Sequence, residues 1–157
     1  MSYEAQITRR RNRTFILTSM SFGHGVAHLY DQGIPVLMPT ISSFFGLSVI
    51  QVSVVLAFRF AGFGFVNLGG ALVVDMLKRY WGWMLTGCMF GAGVLFALVG
   101  ASPNYTTLLI GAFLVSIPGA LWHLPSTASL SQIFPDRRGW AISIHGFGAN
   151  IGNIAAQ

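Results

Sequence analysis

Charged residues occur in this chain almost only in short clusters, and between the clusters run stretches of about 20 or more mostly apolar residues, the length a helix needs to span a bilayer. That spacing leaves few alternatives. Apolar residues make up 54% of the 157 residues and charged ones 8%, where an ordinary soluble domain carries about 25% charged. Mean hydropathy is +0.65. So few charges cannot cover a water-soluble globule, and the abundance of Phe, Leu, Ile and Val excludes disorder. The solvent of this chain is lipid.

Five apolar segments follow: about Thr14 to Ile41, Val49 to Val74, Trp81 to Ala101, Tyr105 to Phe134, and one that starts near Trp140 and continues to Gln157. The sequence predicts an all-α fold, a polytopic transmembrane helix bundle of about five spans over residues 14–157, with a basic segment over residues 1–13. The first apolar segment is far longer than a signal-peptide core and has no small-residue cleavage site, so no secretory signal is expected.

The connections alternate in character. Residues 42–48 and 102–104 carry no charge, whereas residues 75–79 and 135–138 are charged. Arg9, Arg10, Arg11 and Arg13 precede the first segment, Lys78 and Arg79 follow the second, and Arg137 and Arg138 follow the fourth. All eight fall on one side. The positive-inside rule makes that side, with the N-terminus, cytoplasmic. Basic residues shared out among alternate loops do not form a nucleic-acid surface, so the net charge of +5 points to membrane lipid as the partner and not to nucleic acid.

Glycine is frequent, 19 in all, and much of it lies within the segments, where small residues let helix backbones approach. Gly87-xxx-Gly91 and Gly148-xxx-Gly152 have the packing spacing. Pro35, Pro39, Pro118 and Pro125 favour kinks. The single cysteine, Cys88, excludes an internal disulfide and reads as a small buried hydrophobe.

Six residues are out of place in lipid. Arg59 sits mid-way along the second segment and Asp31 within the first. A charge at bilayer depth costs several kcal/mol unless paired or facing water, which marks both as functional candidates. Counting about 1.5 Å per residue puts both about 15 Å below the outer surface, so an ion pair between consecutive antiparallel helices is expected. It could be structural or could line a substrate path. His24, His28 and Asp31 stand at i, i+4 and i+7 on one helical face. The same counting places His24, His123 and His145 about 10–15 Å above the inner face. The stripe could line a polar cavity, make structural hydrogen bonds, or ligate a metal. His123 and His145 stand alone on their segments, so no metal and no cofactor is expected.

Two stretches resemble a known family. The turn Gly69-Gly70-Ala71-Leu72-Val73-Val74-Asp75-Met76-Leu77-Lys78-Arg79-Tyr80 is similar to the loop between helices two and three of the major facilitator superfamily, G-x-x-x-D-x-x-G-R-[KR]. Asp75 and Arg79 match; Ala71, Lys78 and Tyr80 depart from it. More specific are His123-Leu124-Pro125-Ser126, Phe134-Pro135-Asp136-Arg137-Arg138-Gly139-Trp140-Ala141 and His145-Gly146-Phe147-Gly148-Ala149-Asn150-Ile151-Gly152. They resemble the passage from helix four to helix five in bacterial facilitators of the fosmidomycin-resistance-like branch, and Gly23-His24 with Asp31 fits that branch too. Helix four carries Thr106-Thr107 where many proton-coupled facilitators have an Arg.

The resemblance implies a multi-pass transporter of the bacterial cytoplasmic (inner) membrane, moving a small organic solute by alternating access. His24, His28, Asp31, Arg59, His123 and His145 would line its substrate or ion pathway, and Asp75, Lys78 and Arg79 a cytoplasmic gate. The chain would be a truncated N-terminal half, inactive without its C-terminal half. Two other classes stay open: an intramembrane metal-dependent enzyme on His24, His28 and Asp31, and a small non-catalytic helix bundle.

Overall fold

A computed structural model describes residues 3–157, with side chains from Asn12 onward; the side chains of Arg9, Arg10 and Arg11 lie outside the described residues. Five α-helices follow one another: α1 (Tyr3–Phe45), α2 (Val49–Met76), α3 (Trp81–Gly100), α4 (Tyr105–Ile133) and α5 (Arg138–Ala155), with single 3-10 turns at Lys78–Tyr80 and Pro135–Arg137. No strand occurs among the described residues. The fold is the all-α bundle expected. α1 runs back through residues 3–13, because nothing in that basic stretch breaks a helix.

The helix ends are written in the uncharged loops. α1 stops at Gly46, whose φ of 63° suits a residue without a Cβ. Leu47 N–H donates to Ser42 O at 2.9 Å and Gly46 N–H to Ser43 O at 3.4 Å, a Schellman arrangement that satisfies two terminal carbonyls. Ser48 caps α2, and its own N–H donates to Gln51 Oε1 at 2.9 Å. Asn104 and Thr107 do the same for α4. At the other end of α2, the buried Trp81 indole N–H donates to Val74 O at 2.8 Å, covering a carbonyl the helix leaves open.

Three helical stretches are long and apolar enough to cross a membrane: Val49–Met76, Lys78–Gly100 and Tyr105–Ile133. α1 and α5, also expected as spans, do not reach that apolarity among the described residues. They carry the polar groups of the interior: His24, His28, Asp31 and Gln32 on α1, and His145 and Asn153 on α5. The outer surface is apolar instead, with Phe22, Phe44, Trp83 and Phe90 exposed and Leu68 as much as 90% exposed. A surface of this kind suits lipid and not water.

The main pairings are α2 on α4, α1 on α5 and α3 on α4, while the consecutive α1 and α2 hardly touch. At the end holding the uncharged loops, Ile34, Met38, Val55, Val99, Leu108 and Ala112 form the largest apolar layer. Cys88 is buried in a second layer with Ala27, Leu85 and Trp122, and Leu17, Leu130 and Ala141 form a third. The two glycine pairs differ. Gly148 and Gly152 lie so close to α1 that a Cβ on either would collide with the Ser21 or Gly25 carbonyl, whereas Gly87 faces open space and Gly91 only meets the Pro118 ring at 3.6 Å. The same spacing is a helix contact in α5 and none at Gly87. All four prolines sit inside continuous helices.

Arg13 has a second use besides its charge. Its guanidinium donates to Ile133 O, at 2.8 Å from Nε, and lies 5.0 Å from the Phe134 ring centre. A cation on the open carbonyls of a helix C-terminus is favourable, and this one ties α1 to the end of α4.

Candidate functional site: an interior histidine cluster beside an ion pair

The close α1–α5 contact sets the geometry of the interior. With Gly25, Gly148 and Gly152 letting the backbones meet, side chains flanking the contact reach across it. His24 is buried, and its Nδ1 lies 2.9 Å from His145 O. A carbonyl only accepts, so this nitrogen carries the proton and Nε2 keeps its lone pair. That Nε2 is buried without a hydrogen-bond partner. One turn on, His28 Nδ1 is 3.0 Å from Asn153 Oδ1.

His123 enters from α4 and His145 from α5. The His24 ring centre lies 4.0 Å from His145, nearly stacked, 4.8 Å from His28 and 4.9 Å from His123; His28 and His123 are 5.5 Å apart. Histidines that stand alone in the sequence thus join in space. Ser126 touches one of these rings: its hydroxyl donates to the His123 backbone oxygen one turn back at 3.1 Å and lies 3.4 Å from His145 Nε2. One ring nitrogen each from His24, His28 and His123 falls within 4.8 Å of the other two, close enough that a metal ion is a chemical option.

The expected ion pair is present. Arg59 on α2 pairs with the Asp31 carboxylate and also donates to the Asp31 backbone oxygen at 2.8 Å. The Arg59 side chain is 8% exposed and that of Asp31 25%. A small void of about 10 Å³ adjoins the pair, lined by Tyr30, Ile34, Ala92, Val115, Ser116 and Gly119. The pair bridges helices that barely pack, so it is the principal polar link between α1 and α2. The stripe His24, His28, Asp31 therefore divides: the histidines turn to α4 and α5, the carboxylate to α2.

The turn residues sit apart from this interior. Asp75 and Lys78 form an ion pair of 3.2 Å with both side chains more than half exposed, and the Arg79 guanidinium lies 6.0 Å from the Tyr80 ring. Sequence reasoning missed Asn153 and Ser126, which contact the His28 and His145 rings. A weak signal existed for each: Asn153 lies one residue beyond the tight-packing Gly152, and Ser126 follows His123 by three positions, within one turn.

Chemically, the interior offers imidazoles that donate or accept, one guanidinium, one carboxylate and the means to take or release protons inside an apolar bundle. Comparison with curated proteins and with solved structures gives no significant match. The family model of the Major Facilitator Superfamily matches residues 20–156, which include every one of these groups. With an all-α bundle, apolar helices fit to cross a membrane and that match over most of its length, the chain belongs to the major facilitator superfamily, a family of membrane transporters.

Proposed function

We propose that the chain forms the N-terminal, substrate-contacting part of a secondary transporter that moves a small organic solute by alternating access. The observation that carries this reading is the gathering of four imidazoles and one ion pair, from four helices, inside a bundle whose outside is apolar. Intramembrane ionisable groups mark substrate and ion routes more often than they serve stability, since a buried ion pair is a weak stabiliser. His24, His28, Asp31 and Arg59 contact the solute or a coupling ion, with His123 and His145 forming the wall behind them. In transporters built from repeats, the site lies between two bundles near the midplane. A second helical half, on the same polypeptide or another, is accordingly the partner proposed.

Asp75, Lys78 and Arg79 serve as a gate at the cytoplasmic face, where exposed charges can part and reform at little cost. The N-terminus is cytoplasmic, and the membrane is the bacterial inner membrane. The residues quoted from helices one, four and five support placement in the fosmidomycin-resistance-like branch. Family membership points to transport and away from catalysis.

The test is expression in a bacterial host lacking its own broad efflux systems, alone and with a matching second half, against a panel of small organic solutes. The reading expects at least one solute whose flux rises on expression and falls to background with Asp31→Asn or Arg59→Gln, at equal protein levels. Flux that ignores both substitutions contradicts the assigned pathway.

A further inference from the structure

The histidine cluster holds an arrangement that solute contact alone does not require. Two imidazoles on α1 each use Nδ1 toward an oxygen: His24 toward the His145 carbonyl at 2.9 Å and His28 toward Asn153 Oδ1 at 3.0 Å. The proton on Nδ1 is thereby held, and the lone pair of each Nε2 is turned the other way. Imidazoles that ligate metals are oriented in this manner, with the second nitrogen donating to a carbonyl or carboxamide oxygen. Independently, His24 Nε2 is buried with no hydrogen-bond partner, on a residue only 8% exposed. A buried acceptor left unmet is unfavourable. Something that accepts a lone pair would relieve it.

We propose that His24, His28 and His123 bind one divalent first-row transition ion of the Zn²⁺ class through their imidazole nitrogens. One nitrogen from each lies within 4.8 Å of the other two. Around a tetrahedral ion with bonds of about 2.0–2.1 Å, the spacing is about 3.4 Å, so binding draws the three rings together from their present separation. Neutral nitrogen ligands select Zn²⁺ and its neighbours over Mg²⁺ or Ca²⁺, which require oxygen. Three protein ligands leave a fourth position for water or for an anionic group of a solute. Asn153 is a positioning residue: it holds His28 without touching the ion. His145 contributes its backbone carbonyl, which is insensitive to its side chain. The proposal deepens the transport reading and rests on it only for the route by which an ion reaches the cluster.

Binding is measured on the full chain in detergent, so that flux is not needed. Zn²⁺ is titrated by equilibrium dialysis, and Co²⁺ replaces it as an optical probe. One ion per chain is expected, with the intense visible absorption of four-coordinate Co²⁺ and not the weak bands of the hydrated ion. His28→Ala and His123→Ala should each lower Zn²⁺ affinity at least tenfold, and Asn153→Ala about tenfold to a hundredfold. Cys88→Ala, which removes the only thiol, should leave binding unchanged. Absence of stoichiometric binding to the unsubstituted chain overturns the proposal, as does binding that survives His28→Ala and His123→Ala, or that is lost with Cys88→Ala in a folded chain. If a histidine variant fails to fold, the Co²⁺ spectrum of the unsubstituted chain decides alone. Solute flux without Zn²⁺ binding would sink this inference and leave the transporter standing; Zn²⁺ binding without any flux would do the reverse.

Discussion

The pairs α1–α5 and α2–α4 pack by the same device and are opposite in chemistry. In each, glycine brings two backbones into contact. Gly148 and Gly152 of α5 meet the Ser21 and Gly25 carbonyls of α1, and Gly62 of α2 meets the Phe113 carbonyl and Ser116 hydroxyl of α4. Around the first contact stand His24, His28, His145 and Asn153. Around the second stand mostly apolar side chains, with Val55, Leu108, Ala112 and Val115 in one layer. Close packing therefore does not call for polar groups, and their concentration on one pair is what the proposed pathway would use. Arg59 is the exception on the apolar pair, and it reaches across to Asp31 on the polar one.

That crossing bond is where the largest effect is expected. Asp31→Asn leaves the Arg59 guanidinium buried without a counter-charge, which should cost about 3–5 kcal/mol of stability in a denaturant titration. Asp31→Asn with Arg59→Gln should recover most of the loss. Strictly additive losses would show that the two helix pairs are joined by something else.

The glycine contacts come next. A methyl at Gly152 collides with the Gly25 backbone, so Gly152→Ala should force α5 away from α1 at about 1–3 kcal/mol. It should also disturb His24 and His28, which depend on that distance. Gly62→Ala should cost as much and leave the histidines alone. Gly87→Ala, into open space, should be neutral or stabilising by at most about 1 kcal/mol. Equal losses at all three positions would erase the distinction between packing glycines and others.

Arg13→Gln removes the charged tie from α1 to the α4 C-terminus and should cost about 1–2 kcal/mol, sharpening how α1 is held at its other end. The smallest change in stability belongs to Asp75→Asn, under about 1 kcal/mol, since the pair it breaks is exposed. If the turn is a gate, transport should fall all the same, and a drop in flux without a drop in melting temperature is the expected signature.

Much of this was legible beforehand, for physical reasons. The boundaries at Val49, Trp81 and Tyr105 follow from hydropathy, a local property, and the caps Ser48 and Asn104 sit in the uncharged connections between the apolar segments. The Asp31–Arg59 pair follows from counting rise per residue in antiparallel helices, since depth in a membrane restricts which residues can meet. Depth does not restrict rotation about the helix axis. For that reason the approach of His123 and His145 to His24, the partnership of His28 with Asn153, and the fate of two identically spaced glycine pairs could not be read from spacing. The hydrogen bonds of Arg13 were hidden behind a topological reading of its charge.

The proposed transport route requires a polar interior that opens onto an aqueous path and is not a sealed structural core. Cysteine accessibility distinguishes the two. In a Cys88→Ala background, His28→Cys and Leu68→Cys are exposed in membranes to a water-soluble, lipid-insoluble thiol reagent. Leu68 lies 90% exposed on the apolar outer surface and His28 half-buried in the cluster. The account expects rapid labelling at position 28, slowed by a transported solute, and little or none at position 68. A position 28 as unreactive as position 68 would contradict it.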